Sequence, residues 1–160
     1  MIKILFVCHG NICRSPMAEF IFKDLVRKAG LESEFEIASA ATSTEEIWNG
    51  CGNPIYGPAQ RKLTEKGIPF DRSKEARVLE KRDYDRYDLL IGMDERNRRN
   101  MKRLFRSDPA GKVCLLLDYT DRPREVSDPW YSGDFERAYR DIFEGCEALL
   151  RSLEAKKLSR

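Results

Sequence analysis

The segment Cys8-His9-Gly10-Asn11-Ile12-Cys13-Arg14-Ser15-Pro16 gathers a thiol, a glycine and a guanidinium in one short stretch. The five residues between Cys8 and Arg14 are enough to wrap a tetrahedral anion. Gly10 lets the chain curl, and a curled loop leading into a helix aims successive N–H groups at one point, with the positive end of the helix dipole behind them. Arg14 adds a planar fork able to grip two oxygens of one phosphoryl or sulfuryl group. At the mouth of such a cup Cys8 meets N–H donors, a helix N-terminus and a cation, each of which favours thiolate over thiol. A lone cysteine closing an apolar strand is ordinarily a small core residue. Here the glycine, the arginine and a Ser-Pro helix start in one register favour a nucleophile.

The elements around this loop must hold it at the end of a strand. Residues 2–7 form a short apolar run suited to a buried strand. From Pro16 to about Ala29 the repeat turns helical, with Ser15 expected as N-cap, Pro16 as the first helical residue and Gly30 as a stop. Residues 35–38 read as a second strand, residues 40–58 as a long surface loop, and residues 58–67 as a helix. Residues 87–93 (YDLLIGM) read as a buried strand opening onto a helix near Asp94, and residues 112–117 as a fourth strand. Apolar residues from Phe135 to Leu153 recur at helical spacing. Strands alternating with helices predict a three-layer α/β/α fold with a central parallel sheet of about four strands, the anion-binding loop following the first.

With 160 residues, one domain is expected, set at 1–156 with a tail at 157–160. Hydrophobic residues at 41% and charged residues at 35% describe a globular chain, and a net charge of +2 is too small to suggest nucleic-acid binding. The apolar start from Ile4 to Val7 is too short for a signal peptide, and no stretch is long enough to cross a membrane. Five cysteines at irregular spacing do not form a secreted disulfide framework, which points to a reducing compartment, the cytoplasm. Cys8 and Cys13 could form a metal pair, but no matching pair or ligand histidines accompany them, so neither metal nor cofactor is expected.

VCHGNICRSPMAE resembles the phosphate-binding loop of the low-molecular-weight protein tyrosine phosphatases. SAATS at 39–43, GNPIY at 52–56, GMDE at 92–95 and DPWY at 128–131 follow in the family's order, so the resemblance covers most of the chain. It implies a phosphotyrosine hydrolase in which Cys8 is the nucleophile, Arg14 clamps the phosphoryl oxygens and Asp128 protonates the leaving phenolate and then activates water. It implies that Ser15 hydrogen-bonds the nucleophile and that Asn11 braces the loop together with Ser39 and a histidine. That histidine is missing, because the corresponding pattern reads Lys74-Glu75-Ala76-Arg77. The resemblance also implies a reversible disulfide between Cys13 and Cys8. His9, the one histidine in the chain, is expected to lie exposed, its backbone N–H mattering more than its ring.

A phosphotyrosine pocket needs apolar walls. Trp130 and Tyr131 beside the acid, and Trp48 in the long loop, are the candidates. Ile12 favours an aryl phosphate, since related phosphoarginine enzymes carry threonine there. Arsenate reductases with this loop need relay cysteines that residues 80–90 lack. A phosphotyrosine-binding module without turnover is the alternative from another class. The expected partners are a tyrosine-phosphorylated protein as substrate and inorganic phosphate as product and competitive inhibitor, with no nucleic acid or membrane, on a monomer or weak dimer. The basic run at 96–106 reads as a solvated helix face, with docking of an acidic phosphoprotein as the alternative.

Overall fold

The structure is a computed structural model, and residues 1–158 are described. Strand β1 (Ile2–Cys8) is followed by helix α1 (Arg14–Lys28) and strand β2 (Phe35–Ala41). Two short strands, β3 (Ile47–Trp48) and β4 (Cys51–Gly52), precede helices α2 (Gly57–Glu65) and α3 (Asp83–Arg86). Then come β5 (Leu89–Gly92), α4 (Glu95–Phe105), β6 (Val113–Leu115), α5 (Pro129–Ser132) and the long α6 (Phe135–Leu158). Helix α6 thus runs past the expected boundary at 156, and residues 159 and 160 of the expected tail lie outside the described residues.

The central sheet has the order β2-β1-β5-β6 with every pairing parallel. The period of two in β1 divides the core between its faces. Ile4 and Phe6 join the cluster under α1 and α6, whereas Leu5 and Val7 join the one that includes Met101 of α4. Phe6 meets Phe22 of α1 edge to face at 5.9 Å, and burying side chains of this size contributes roughly 1.5–3 kcal/mol each. The chain leaves β1 toward β2 and later returns to the opposite side of β1 with β5. The carboxyl ends of β1 and β5 therefore flank the switch point, where open α/β sheets bind ligands. Among the described residues no helix is long and apolar enough to cross a membrane.

Several boundaries differ from expectation, each for a local reason. Helix α1 begins at Arg14 with Cys13 as its N-cap, so Ser15 and Pro16 lie inside its first turn rather than before it. Pro16 is tolerated there because the first N–H groups of a helix lack intrahelical partners. Within residues 40–58, Asn49 and Gly50 take φ values of 49° and 78°, the two-residue turn that closes a hairpin, and β3 pairs antiparallel with β4. The fourth strand stops at Leu115, where Asp118 Oδ2 accepts the Leu115 N–H at 3.0 Å and the chain winds into a 3-10 turn over Leu116–Tyr119. Leu116 then packs beneath α6, so closely that a Cβ on Gly145 would lie 2.5 Å from its Cγ.

Candidate active site

The loop from Cys8 to Arg14 is tied at both ends. Thr42 and Ser43 donate backbone N–H groups to the carbonyls of Cys8 and His9 at 3.0 Å, and Tyr56 N–H reaches Ile12 O at 2.8 Å. Inside the curl, the N–H groups of Asn11 and Ser15 point at Cys8 Sγ from 3.3 and 3.4 Å, and Ser15 Oγ lies 3.0 Å from the same sulfur. Cys8 is only 4% exposed.

Asn11 organises the floor. Its φ of 60° is left-handed, a conformation asparagine tolerates better than most residues. Its Nδ2 donates to Ser15 Oγ at 2.8 Å and to Ser39 Oγ at 3.0 Å. Its Oδ1 accepts from Arg77 N–H at 3.1 Å and Lys74 Nζ at 3.3 Å. The amide is fully used, and the Arg77 N–H fixes which way round it sits. Ser15 Oγ therefore already accepts a hydrogen bond, and its own hydrogen is left for Cys8 Sγ. The same logic at Ser39 sends its hydrogen to Glu19 Oε1 at 2.6 Å.

Glu19 and the contact that Lys74 makes are what sequence reasoning missed. Lys74 occupies the bracing position by touching Asn11, and its ammonium also lies 3.8 Å from Glu19 Oε1. Burial pushes its pKa down, with Glu19 opposing the shift. Glu19 is itself buried and gains a second cation, Lys23 at 2.6 Å. No local pattern flags a mid-helix glutamate or a lysine 63 positions from Asn11 as partners of one loop.

Arg14 closes the other side. Its guanidinium donates to Val126 O at 3.0 Å and Asp94 Oδ2 at 2.9 Å, and lies 3.5 Å from Asp128 Oδ2. Burial alone would lower its pKa, but the negative charges at Cys8, Asp128 and Asp94 outweigh it and raise the value. Asp94 is the N-cap of α4, its other oxygen accepting the Asn97 N–H at 2.8 Å, so the strand β5 that ends beside β1 delivers the residue that orients Arg14. Asp128 caps α5 through Trp130 N–H at 3.0 Å.

Cys8, His9, Gly10, Ile12, Cys13, Arg14, Asp128, Trp130 and Tyr131 surround one cavity of about 180 Å³. Asn11, Ser15 and Ser39 lie beneath it, all at most 1% exposed. Trp130 packs on Tyr56 at 5.1 Å between ring centres. Trp48 is not brought in: it is 71% exposed on the hairpin and does not line the cavity. The His9 ring is not left free in solvent, because its Nε2 pairs with Glu45 Oε2 at 3.0 Å while Nδ1 is buried and, among the described residues, has no hydrogen-bond partner. Burial, and next the charge of Cys8, push the Cys13 thiol up to about 12. All cysteines are unpaired, and among the described residues no group of three or more His, Cys, Asp or Glu side chains is placed to hold a metal ion.

Residues 3–159 match the family model described as low molecular weight phosphotyrosine protein phosphatase. The chain is 40% identical to the low molecular weight protein-tyrosine-phosphatase YfkJ of Bacillus subtilis, over 98% of this chain and 99% of that protein. The crystal structure of YfkJ superposes with a TM-score of 0.91 over 98% of this chain and 97% of that one. The low molecular weight phosphotyrosine protein phosphatase of Gallus gallus is 39% identical over 92% of this chain and 93% of its own. The crystal structure of DARP, a Drosophila arginine phosphatase, is 30% identical with a TM-score of 0.84, covering 95% of this chain and 98% of that one.

Proposed function

Because the chain belongs to the low molecular weight phosphotyrosine protein phosphatase family, we propose that Cys8, Arg14 and Asp128 hydrolyse phosphotyrosine in two steps. First the Cys8 thiolate attacks phosphorus, forming an S–P bond as the P–O bond to the aryl group breaks. The electron pair leaves on the phenolate oxygen, which takes the proton of Asp128 and departs as tyrosine. Asp128, now a carboxylate, then removes a proton from water. The water oxygen attacks phosphorus, the S–P bond breaks, and inorganic phosphate leaves with Cys8 again a thiolate and Asp128 again protonated.

The observation that carries this reading is the saturation of Asn11: its Nδ2 donates to Ser15 Oγ at 2.8 Å, and Cys8 Sγ at 3.0 Å is, among the described residues, the acceptor left for the Ser15 hydroxyl hydrogen. Such a donor stabilises a thiolate both before attack and when it departs from phosphorus. Arg14 grips the phosphoryl oxygens and lies beside Asp128, so the acid stands near the group it serves. Ile12, with Trp130 and Tyr131, offers apolar contact to an aromatic ring. Phosphotyrosine in a protein is accordingly the substrate, inorganic phosphate a product that competes for the cup, and Cys13 a nearby thiol able to close a disulfide with Cys8. The unpaired cysteines support a cytoplasmic setting, and a monomer or weak dimer suffices because one chain supplies the whole site.

Hydrolysis of p-nitrophenyl phosphate by wild type and Cys8→Ser tests the reading. The variant should lose at least about 10³-fold in kcat while still binding phosphate, since a neutral hydroxyl without a base is a poor nucleophile. Undiminished turnover would remove Cys8 from the reaction. A wild type that bound phosphotyrosine tightly without releasing phosphate would identify a recognition module instead. A phosphoarginine peptide assayed beside a phosphotyrosine peptide decides between the activities represented by YfkJ and DARP.

A further inference from the structure

The mouth of the cavity is electrically two-sided. Glu45 and Glu46 follow β2 and Arg96 of α4 follows β5, strands that flank β1 on opposite sides, and all three residues line the cavity. From Arg96 the charge continues along the helix. Arg96, Arg99 and Arg103 are spaced by three and four, which places them on one face, opposite the buried Asn97 and Met101. All three are exposed, and among the described residues none of them makes an ion pair. Arg98, by contrast, is engaged by Glu95 at 3.4 Å and Asp118 at 3.2 Å. A chain with a net charge of +2 thus leaves three guanidinium groups uncompensated in a row that starts inside its catalytic mouth.

We propose that this row docks an acidic segment of the substrate protein flanking its phosphotyrosine. The inference rests on the phosphatase reading and specifies its substrate. The seven residue steps of helix from Arg96 to Arg103 span about 10 Å, the reach of roughly three extended residues. Carboxylates within a few positions of a phosphotyrosine seated over Cys8 therefore fall along the row. Continuity with the cavity favours a peptide over a nucleic acid or a lipid surface. A uniformly anionic polymer or membrane lying across the mouth would also meet Glu45 and Glu46, whereas a peptide with acids on one side only avoids them.

The test uses the full chain and the double variant Arg99→Glu/Arg103→Glu, both positions lying outside the cavity. The substrates are p-nitrophenyl phosphate, a phosphotyrosine peptide with three acidic residues on its N-terminal side, one with them on its C-terminal side, and a serine-substituted control. Exposed ion pairs are individually weak. Wild type should therefore favour one acidic peptide over the control by about tenfold in kcat/KM, through KM and only at low salt. The variant should lose that preference and keep its rate on p-nitrophenyl phosphate. Equal rates on all peptides would overturn the docking proposal while leaving the phosphatase reading intact. An equal loss on p-nitrophenyl phosphate would show the row to be structural. Binding of a single-stranded RNA or of phosphatidylserine vesicles that the variant abolishes, without a peptide preference, would assign the row to that polyanion instead. A wild type inactive on p-nitrophenyl phosphate would overturn both readings.

Discussion

The floor of the cavity and its mouth are opposite in construction. On the floor, Asn11, Ser15, Ser39 and Glu19 are all under 5% exposed, and each of their hydrogen bonds is matched by a partner. At the mouth, Tyr131 is 79% exposed, and Arg96 is exposed and, among the described residues, makes no ion pair, while Trp48 close by is 71% exposed. A saturated buried network has one arrangement, because any departure leaves a polar group unsatisfied at about 1–3 kcal/mol each. An exposed rim has many arrangements at nearly equal energy. Chemistry that needs a sulfur and a proton held in register belongs on the floor, and recognition that tolerates varied partners belongs at the mouth.

Substitutions can break or sharpen that contrast. The largest effect after loss of the nucleophile itself is expected at Asp128, which joins the two regions. Asp128→Asn should slow hydrolysis of aryl phosphates with poor leaving groups by about 10²–10⁴-fold and spare good leaving groups. A uniform loss across a leaving-group series would deny Asp128 the role of acid. Asn11→Ala comes next, since it strips Lys74, Ser39 and the Arg77 N–H of a partner and puts alanine at a left-handed φ. A loss of about 3 kcal/mol, roughly 10 °C in Tm, is expected together with a fall in kcat. Wild-type stability by thermal unfolding would show the floor to be less rigid than its bonding implies.

Lys74→Met sharpens the comparison through pH. Burial holds the folded pKa of Lys74 below the ordinary lysine value of 10.5. Between the lowered value and 10.5 the unfolded chain holds a proton that the folded chain has released, so this residue makes stability rise with pH in that window. Stability measured against pH should therefore show wild type gaining on the variant as pH rises toward 10.5. A constant difference would mean that Lys74 keeps its proton throughout. The smallest effect belongs to Trp48→Ala, which should leave the rate on p-nitrophenyl phosphate within about twofold and stability within about 0.5 kcal/mol. A large rise in KM would place Trp48 at the substrate.

Much of this was legible in the residues. The apolar run of β1 and the helical spacing of α6 stated their elements directly, and Cys8, Gly10 and Arg14 announced an anion cup through composition alone. What escaped was held by contacts distant in sequence or by competition between local signals. Asn49-Gly50 is a strong hairpin signal submerged in a stretch of polar and turn-forming residues. Ser15 looked like an N-cap because it precedes Pro16, but its hydroxyl is occupied by Cys8 and Asn11. Leu116 and Leu117 read as strand until the Asp118 side chain turned the chain at Leu115. Lys74 could be seen as a departure from the family's histidine, yet only the folded chain brings its ammonium to Asn11.

The direct test of the floor is the sulfur itself. Wild type mixed with p-nitrophenyl phosphate, quenched with acid within its first turnovers and mapped by mass spectrometry, should carry a phosphoryl group on the fragment containing Cys8. The Asp128→Asn variant should accumulate more of it if loss of the base slows hydrolysis more than loss of the acid slows formation. Phosphate release without any phosphorylated Cys8, or a phosphoryl group found on Cys13 or His9, would contradict the account.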